Sequence, residues 1–96
     1  MVIRQMKEND WENIYGQITK YGKSSSLSLQ YDIDISCNGT DYVLKVQPEK
    51  KRKIVALQAY HTYPGGFGDK LIEDNVTLSA LLELIIYQGV KKAVSH

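Results

Sequence analysis

The chain has 96 residues, of which 43% are hydrophobic and 24% are charged, and its formal net charge is +1. This length and composition are typical of a soluble globular protein, so we expect residues 1–96 to form a single domain. Residues 1–7 have too few consecutive apolar residues for a signal peptide and no later stretch reaches membrane-spanning length, so we expect the protein to be cytoplasmic. The small net charge excludes a global electrostatic attraction to nucleic acid or to an anionic membrane. Cys37 is the only cysteine, which excludes an internal disulfide.

The first predicted helix follows residues 1–7, which fit either a short edge strand or an extended lead-in. Asn9 is a suitable N-cap, and Gly22 is expected to end the helix. Large apolar residues recur between them at helical spacing, namely Trp11, Ile14, Tyr15, Ile18 and Tyr21.

A strand and a hairpin are predicted next. Apolar and polar residues alternate strictly from Leu27 to Cys37, and Asn38-Gly39 is the favoured pair for a two-residue type I′ turn. This turn would place Cys37 opposite Thr40. Counting outward gives three apolar pairs on one face and one charge pair on the other: Ile35 with Tyr42, Ile33 with Leu44, Tyr31 with Val46, and Asp32 with Lys45.

A second turn is predicted over residues 48–53, and a four-residue loop there would pair Val46 with Val55 and Leu44 with Leu57. After a loop rich in glycine, Thr77 or Asn75 is expected to cap a second helix. Its apolar residues cover a wide arc, while Lys91 and Lys92 suit its C-terminal end. The apolar arc comprises Leu78, Leu81, Leu82, Leu84, Ile85 and Ile86.

These elements predict an α+β fold with the order α-β-β-β-α. We expect a three-stranded antiparallel meander, a fourth N-terminal edge strand if residues 1–7 pair with it, and two helices mainly on one face. The other face would then be open to solvent or to a partner. The competing interpretation is that one helix or the N-terminal segment covers it.

The leading functional hypothesis is a non-enzymatic protein-binding module that acts as an adaptor or inhibitor. The segment from Tyr60 to Lys70 combines three glycines and a proline with aromatic side chains, which is typical of a loop that displays them. Apolar residues of the open sheet face would extend this surface, and homodimerisation through it is compatible with the hypothesis. The predicted partner-binding residues are Tyr60, Tyr63, Phe67, Ile54 and Val43.

The alternative hypothesis is nucleic-acid binding through the only basic cluster of the chain. Lys50, Lys51, Arg52 and Lys53 would lie at the tip of the second hairpin, where lysines are more often simply solvated.

Catalysis is not expected, because no nucleophile, base and oxyanion site occur together in a recognisable pattern. A third hypothesis, a small enzyme or ligand-binding domain around His61 and Asp69, would need a pocket that the sequence does not reveal. Asp32 and Asp34 share one strand face but lack the further oxygen ligands that a hard cation requires. We therefore predict no catalytic residues, no metal and no cofactor.

The predicted α-β-β-β-α order resembles that of the double-stranded RNA-binding domain, and the resemblance implies RNA contacts from the first hairpin loop and from lysines that begin the last helix. Here the hairpin turn is the tight Asn38-Gly39, and residues 77–80 contain no lysine. The segment from Ile3 to Met6, followed by a helix, is similar to the start of GNAT-type acetyltransferases, but their pyrophosphate-binding segment is missing. Neither family is therefore assigned.

Overall fold

The computed structural model describes residues 1–24, 29–62 and 68–90. The elements of these residues are β1 Val2–Gln5, α1 Glu8–Tyr21, β2 Lys23–Ser24, β3 Tyr31–Cys37, β4 Thr40–Glu49, β5 Ile54–Thr62, β6 Asp69–Leu71 and α2 Asn75–Tyr87. The six strands form one antiparallel sheet with the order β1-β5-β4-β3-β2, and β6 also pairs with β5, beyond the segment of β5 that pairs with β1. The fold is therefore α+β.

The predicted meander is the centre of this sheet, formed by β3, β4 and β5. The N-terminal segment forms β1, the fourth edge strand that the prediction allowed, but the predicted strand count and element order are wrong because two further strands, β2 and β6, are present. Those two strands have only two and three residues. Such short segments carry no periodic pattern, and their pairing depends on a neighbouring strand that is already in place. The observed order also departs from that of the double-stranded RNA-binding domain.

The first hairpin has the predicted register. Cys37 pairs with Thr40 and Asp32 pairs with Lys45. Asn38 and Gly39 have φ values of 52° and 80°, as a type I′ turn requires. Of the predicted strand, Leu29 and Gln30 precede β3, which begins at Tyr31, and Leu27 and Ser28 lie outside the described residues. The three apolar pairs predicted for this hairpin are all observed.

The second hairpin is shifted by two residues from the prediction. Val46 pairs with Leu57 rather than Val55, because β4 continues to Glu49 before the turn over residues 50–53. Arg52 closes this turn with two hydrogen bonds of 2.8 Å to Glu49, and Lys53 adopts a positive φ of 53°. A shift of two leaves every side chain on its predicted face, because the side-chain period of a strand is two.

Both helices pack against the same side of the sheet, which we call the core face. The inward residues of β3, β4 and β5 are completely or almost completely buried there, and the prediction of two helices on one face is confirmed. The opposite side is called the outer face. The core contains Trp11, Ile14 and Ile18 of α1, Leu78, Leu81, Leu82 and Ile85 of α2, and Ile33, Ile35, Leu44, Val46, Val55, Leu57 and Ala59 of the sheet.

Both predicted N-caps are wrong. Helix α1 begins at Glu8 after Lys7, which makes no side-chain capping hydrogen bond. Helix α2 is capped by Asp74, whose carboxylate accepts hydrogen bonds from the backbone N–H groups of Val76, at 3.0 Å, and Thr77, at 3.3 Å. Gly22 ends α1 as predicted. Lys91 and Lys92 lie outside the described residues, and neither described helix is long and apolar enough to cross a membrane.

Candidate interaction surface

The outer face is organised around β5, whose outward residues from the turn end to the loop end are Ile54, Ala56, Gln58 and Tyr60. Cross-strand neighbours share a face, so the register identifies the residues beside them. Ile3 of β1 lies next to Ala56, Leu71 of β6 lies next to Tyr60, and Val43 of β4 lies on the other side of Tyr60.

Two apolar patches result, one at each end of this face. The turn patch consists of Ile3, Ile54 and Ala56, and the loop patch consists of Val43, Tyr60 and Leu71. The edge residues are the most accessible, with 62% of Ile3 and 42% of Leu71 exposed. At this exposure both side chains leave apolar surface in contact with water. A bound partner would bury that surface.

A polar row separates the two patches. It runs from Gln58 through Lys45 and Asp32 to Lys23. The ammonium of Lys45 lies 2.8 Å from the Asp32 carboxylate, which also accepts a hydrogen bond of 3.3 Å from the Gln30 amide. The charges of Lys45 and Asp32 are thus paired within the chain.

The loop end of the outer face is acidic. Asp34, Asp41 and Asp69 are exposed at the loop end. Asp41 faces outward because it pairs with Ser36, two residues from Asp34, and Asp69 faces outward because it pairs with Thr62. At the turn end, Lys50 and Lys53 reach Tyr15 and Glu8 of α1 on the core-face side.

The basic turn is largely engaged within the chain. Arg52 pairs with Glu49, and this hydrogen-bonded contact lowers the pKa of Glu49 and raises that of Arg52. The other basic residues make two further contacts: Lys53 lies 3.2 Å from the carboxylate of Glu8, and Lys50 lies over the ring of Tyr15. Among the described residues, Lys51 is the one side chain of the cluster without such a partner.

A groove of about 900 Å³ adjoins the turn patch. It lies where β4 continues past the start of β3, so that the edge of β4 near Pro48 has no described strand beside it. In the register of the hairpin, the backbone polar groups of Pro48 point toward this free edge and not toward β5. Proline has no N–H, but at this position no hydrogen bond within the sheet is lost. Proline here therefore protects the edge from strand addition. Leu29, 84% exposed and predicted to be an inward strand residue, lines the same groove.

The structure places three of the predicted partner-binding residues, Val43, Ile54 and Tyr60, on the outer face. Both helices lie on the core face, so no described helix covers them. Tyr63 and Phe67 lie outside the described residues. Sequence reasoning missed Ile3 and Leu71, which reach this face through the edge strands. The alternation of Ile3 with its neighbours was the available signal, but it spans only four residues.

The residues considered for catalysis or metal binding do not come together. His61 lies on the core-face side, where its ring is 5.8 Å from that of Tyr42, whereas Asp69 lies on the outer face. Asp32 is engaged by Lys45. Within the described ranges, no group of three or more His, Cys, Asp or Glu side chains is arranged to hold a metal ion.

Comparison with protein-family models, with curated proteins and with solved structures found no match to this chain.

Proposed function

We propose that the protein is a non-enzymatic protein-binding module, acting as an adaptor or inhibitor, and that the outer face is its binding surface. The observation that carries the proposal is the pair of apolar patches on a sheet face that both helices leave uncovered. Specific protein interfaces commonly combine an apolar centre with a polar rim and aromatic anchors. Tyr60 would be such an anchor in the loop patch.

The test is quantitative capture of a cellular protein by the immobilised chain. The captured protein is identified by mass spectrometry, purified, and titrated against the wild type. The outer-face variant combines Ile3→Lys and Leu71→Lys, one change in each patch at an accessible edge position. We expect its affinity to fall at least ~10-fold, because each lysine places a charge in a desolvated contact.

The matched control is Val76→Lys, an equally drastic change at a 77% exposed residue of α2, which packs on the core face. It should bind as the wild type does. Circular dichroism and urea unfolding establish that all variants are folded. Unaltered binding by the Ile3→Lys/Leu71→Lys variant would reject the outer face as the binding surface.

The predicted role of the glycine-rich loop is tested separately with Tyr63→Ala and Phe67→Ala. If the loop extends the binding surface, the double variant loses affinity while the fold is kept. Wild-type affinity in this variant would restrict the surface to the sheet.

The nucleic-acid hypothesis is less well supported. Of its four basic residues, Arg52 and Lys53 are paired with glutamates and Lys50 lies over Tyr15. A phosphate backbone would have to compete with these contacts. Nucleic-acid binding would appear as a gel shift at low salt that is lost on Lys50→Gln/Lys51→Gln, and we expect no shift.

A further inference from the structure

The loop-end half of β3, residues 33–37, is an open edge of the sheet. β2 pairs with β3 only at Tyr31 and Asp32, and in the described part of the chain no strand lies beside the rest of β3 on that side. The other side of β3 pairs with β4 along its whole length. An open edge of this kind carries backbone groups that a further strand would complete.

The hydrogen-bond ladder shows which backbone groups face this open edge. The N–H of Ile72 donates to the carbonyl of Ala59, so the odd-numbered residues of β5 bond on the side of β6 and its even-numbered residues bond to β4. The alternation continues through β4, and the odd-numbered residues of β3 bond to β4. The N–H and C=O groups of Asp34 and Ser36 therefore point outward from the sheet.

The other edges of the sheet are short or protected. β1 and β6, which lie on the far side of β5, have four and three residues. The free edge of β4 carries Pro48, which has no N–H to offer to a partner strand. Short strands, proline and lysine are the usual means by which proteins prevent strand addition. Residues 33–37 are five consecutive strand residues without proline or lysine.

The charge beside the open edge is negative. Asp34 projects from β3 onto the outer face, and Asp41 lies one strand further in, opposite Ser36. Both side chains are exposed, and neither forms an ion pair with another described residue. A residue directly opposite Asp34 on an added strand would have its Cβ atom about 5 Å away. A basic side chain opposite Ser36 would extend over this small residue toward Asp41, whose Cα atom would lie about 10 Å away.

We infer that β3 binds an extended segment of a partner protein as an additional antiparallel strand, with arginine or lysine opposite Asp34 and Ser36. The outward backbone groups are complementary to an extended chain, and the two aspartates are complementary to basic residues at alternate positions. The residue between the two basic ones would lie on the side of buried Ile35, where an apolar side chain fits. The inference rests on the proposed function, because it assumes a protein partner, and it adds the mode of binding and the chemistry of the partner.

The first measurement is amide hydrogen exchange in the free chain by NMR. The N–H groups of Asp34 and Ser36 should exchange at least ~10-fold faster than those of Ile33 and Ile35, which bond to β4. Slow exchange at Asp34 and Ser36 in a dilute sample would show that the chain covers its own edge. Slow exchange that appears only as the chain is concentrated would identify a second copy as the occupant. Either result would overturn the inference.

The second measurement uses a synthetic peptide that alternates arginine and valine, called the arginine peptide. Its binding should slow exchange at Asp34 and Ser36 at least ~10-fold, whereas a peptide that lies only on the outer face would leave these amides unprotected.

Backbone methylation of the arginine peptide supplies matched probes that leave the protein unchanged. Methyl groups on the arginine nitrogens remove the N–H groups that would face β3, and the affinity should fall at least ~10-fold. Methyl groups on the valine nitrogens lie on the far side of the peptide, and this probe should bind as the unmodified peptide does. Equal affinities of the two methylated probes would reject strand addition.

The charge requirement is tested by a swap. Asp34→Lys/Asp41→Lys should lower the affinity for the arginine peptide at least ~10-fold and should bind a peptide that alternates glutamate and valine, which the wild type does not bind. This gain also demonstrates that the variant is folded. The matched control, Asp10→Lys/Glu12→Lys, reverses two exposed charges of α1 and should bind the arginine peptide as the wild type does. A swap variant that keeps its affinity for the arginine peptide, or that fails to bind the glutamate peptide, would contradict the inference.

The proposed function has a separate readout. Ile3 and Leu71 lie in β1 and β6, on the far side of β5 from β3, so the Ile3→Lys/Leu71→Lys variant should bind the arginine peptide as the wild type does. A wild type that does not bind the arginine peptide would overturn strand addition at β3. The capture test would still decide whether the outer face binds a protein.

Discussion

The two faces of the sheet are built from the same strands but differ in how deeply their side chains are buried. In β4, Leu44 and Val46 are completely buried beneath the helices, whereas their neighbours Val43 and Lys45 lie on the outer face and remain partly accessible. The backbone is common to both sets, so hydrogen bonding within the sheet does not distinguish them. Coverage by α1 and α2 decides which apolar residues are buried in the core and which remain accessible on the outer face.

The largest expected effect on stability comes from truncating one valine to alanine on each face and comparing the two losses. Val46→Ala should lower the free energy of unfolding by ~2–3 kcal/mol, since it removes buried apolar surface and leaves a cavity. Val43→Ala, on the same strand, should lower it by less than ~1 kcal/mol. Urea unfolding measures both. Equal losses would mean that the outer face is covered in solution, and the contrast between the faces would be lost.

The next largest effect on the free energy of unfolding is expected at the Asn38-Gly39 turn, which sets the register of the first hairpin and so the face on which each residue lies. Gly39 has a φ of 80° and open space around its missing side chain, so Gly39→Ala adds only backbone strain. We expect a loss of ~1–2 kcal/mol in the free energy of unfolding. Gly16 has equally open surroundings but lies within α1, where Gly16→Ala should add up to ~1 kcal/mol. Two changes of the same sign would contradict the assigned conformations.

A smaller effect on stability is expected at the N-cap of α2, one of the two helices that pack on the core face. The hydrogen bond from the Thr77 hydroxyl, followed by that from the Val76 N–H, lowers the pKa of Asp74 from its ordinary value of 3.8. Because the pKa of Asp74 is lower in the folded than in the unfolded state, its ionised carboxylate stabilises the fold at pH values above the unfolded pKa. This stabilisation is lost as the pH falls through the folded pKa.

Asp74→Ala should therefore lower the melting temperature at pH 7. Asp74→Asn, which can still cap, should retain most of it and should remove this group's contribution to acid destabilisation. The check is the melting temperature of the three proteins between pH 7 and pH 2. An Asp74→Asn protein with the same acid dependence as the wild type would show that other carboxylates govern it.

The smallest effect is expected for the polar row of the outer face. The Lys45–Asp32 pair is short, at 2.8 Å, but both side chains are about one third exposed. A double-mutant cycle with Asp32→Asn and Lys45→Met should give a coupling energy below ~1 kcal/mol. A coupling energy well above that value would indicate that the outer face is shielded from water.

Part of the candidate surface could be predicted from the alternation of residues alone. Val43, Ile54 and Tyr60 were assigned to the outer face even though the second hairpin was shifted by two, because a shift of two preserves the faces. Its register could not be predicted, since residues 50–53 contain no turn pair as restrictive as Asn38-Gly39. The cap at Asp74 was missed because Asn75 and Thr77 are equally good capping residues in sequence.

The sequence by itself determined what depends on near neighbours: the Asn38-Gly39 reversal, the alternation along β3 and β4, and the apolar stripe of α1. Only the tertiary structure decided the edges, where β1 and β6 place Ile3 and Leu71 beside β5. Segments of three or four residues have too little local preference to form strands alone. They gain their hydrogen bonds only from a neighbour already in place, which no short stretch of sequence specifies.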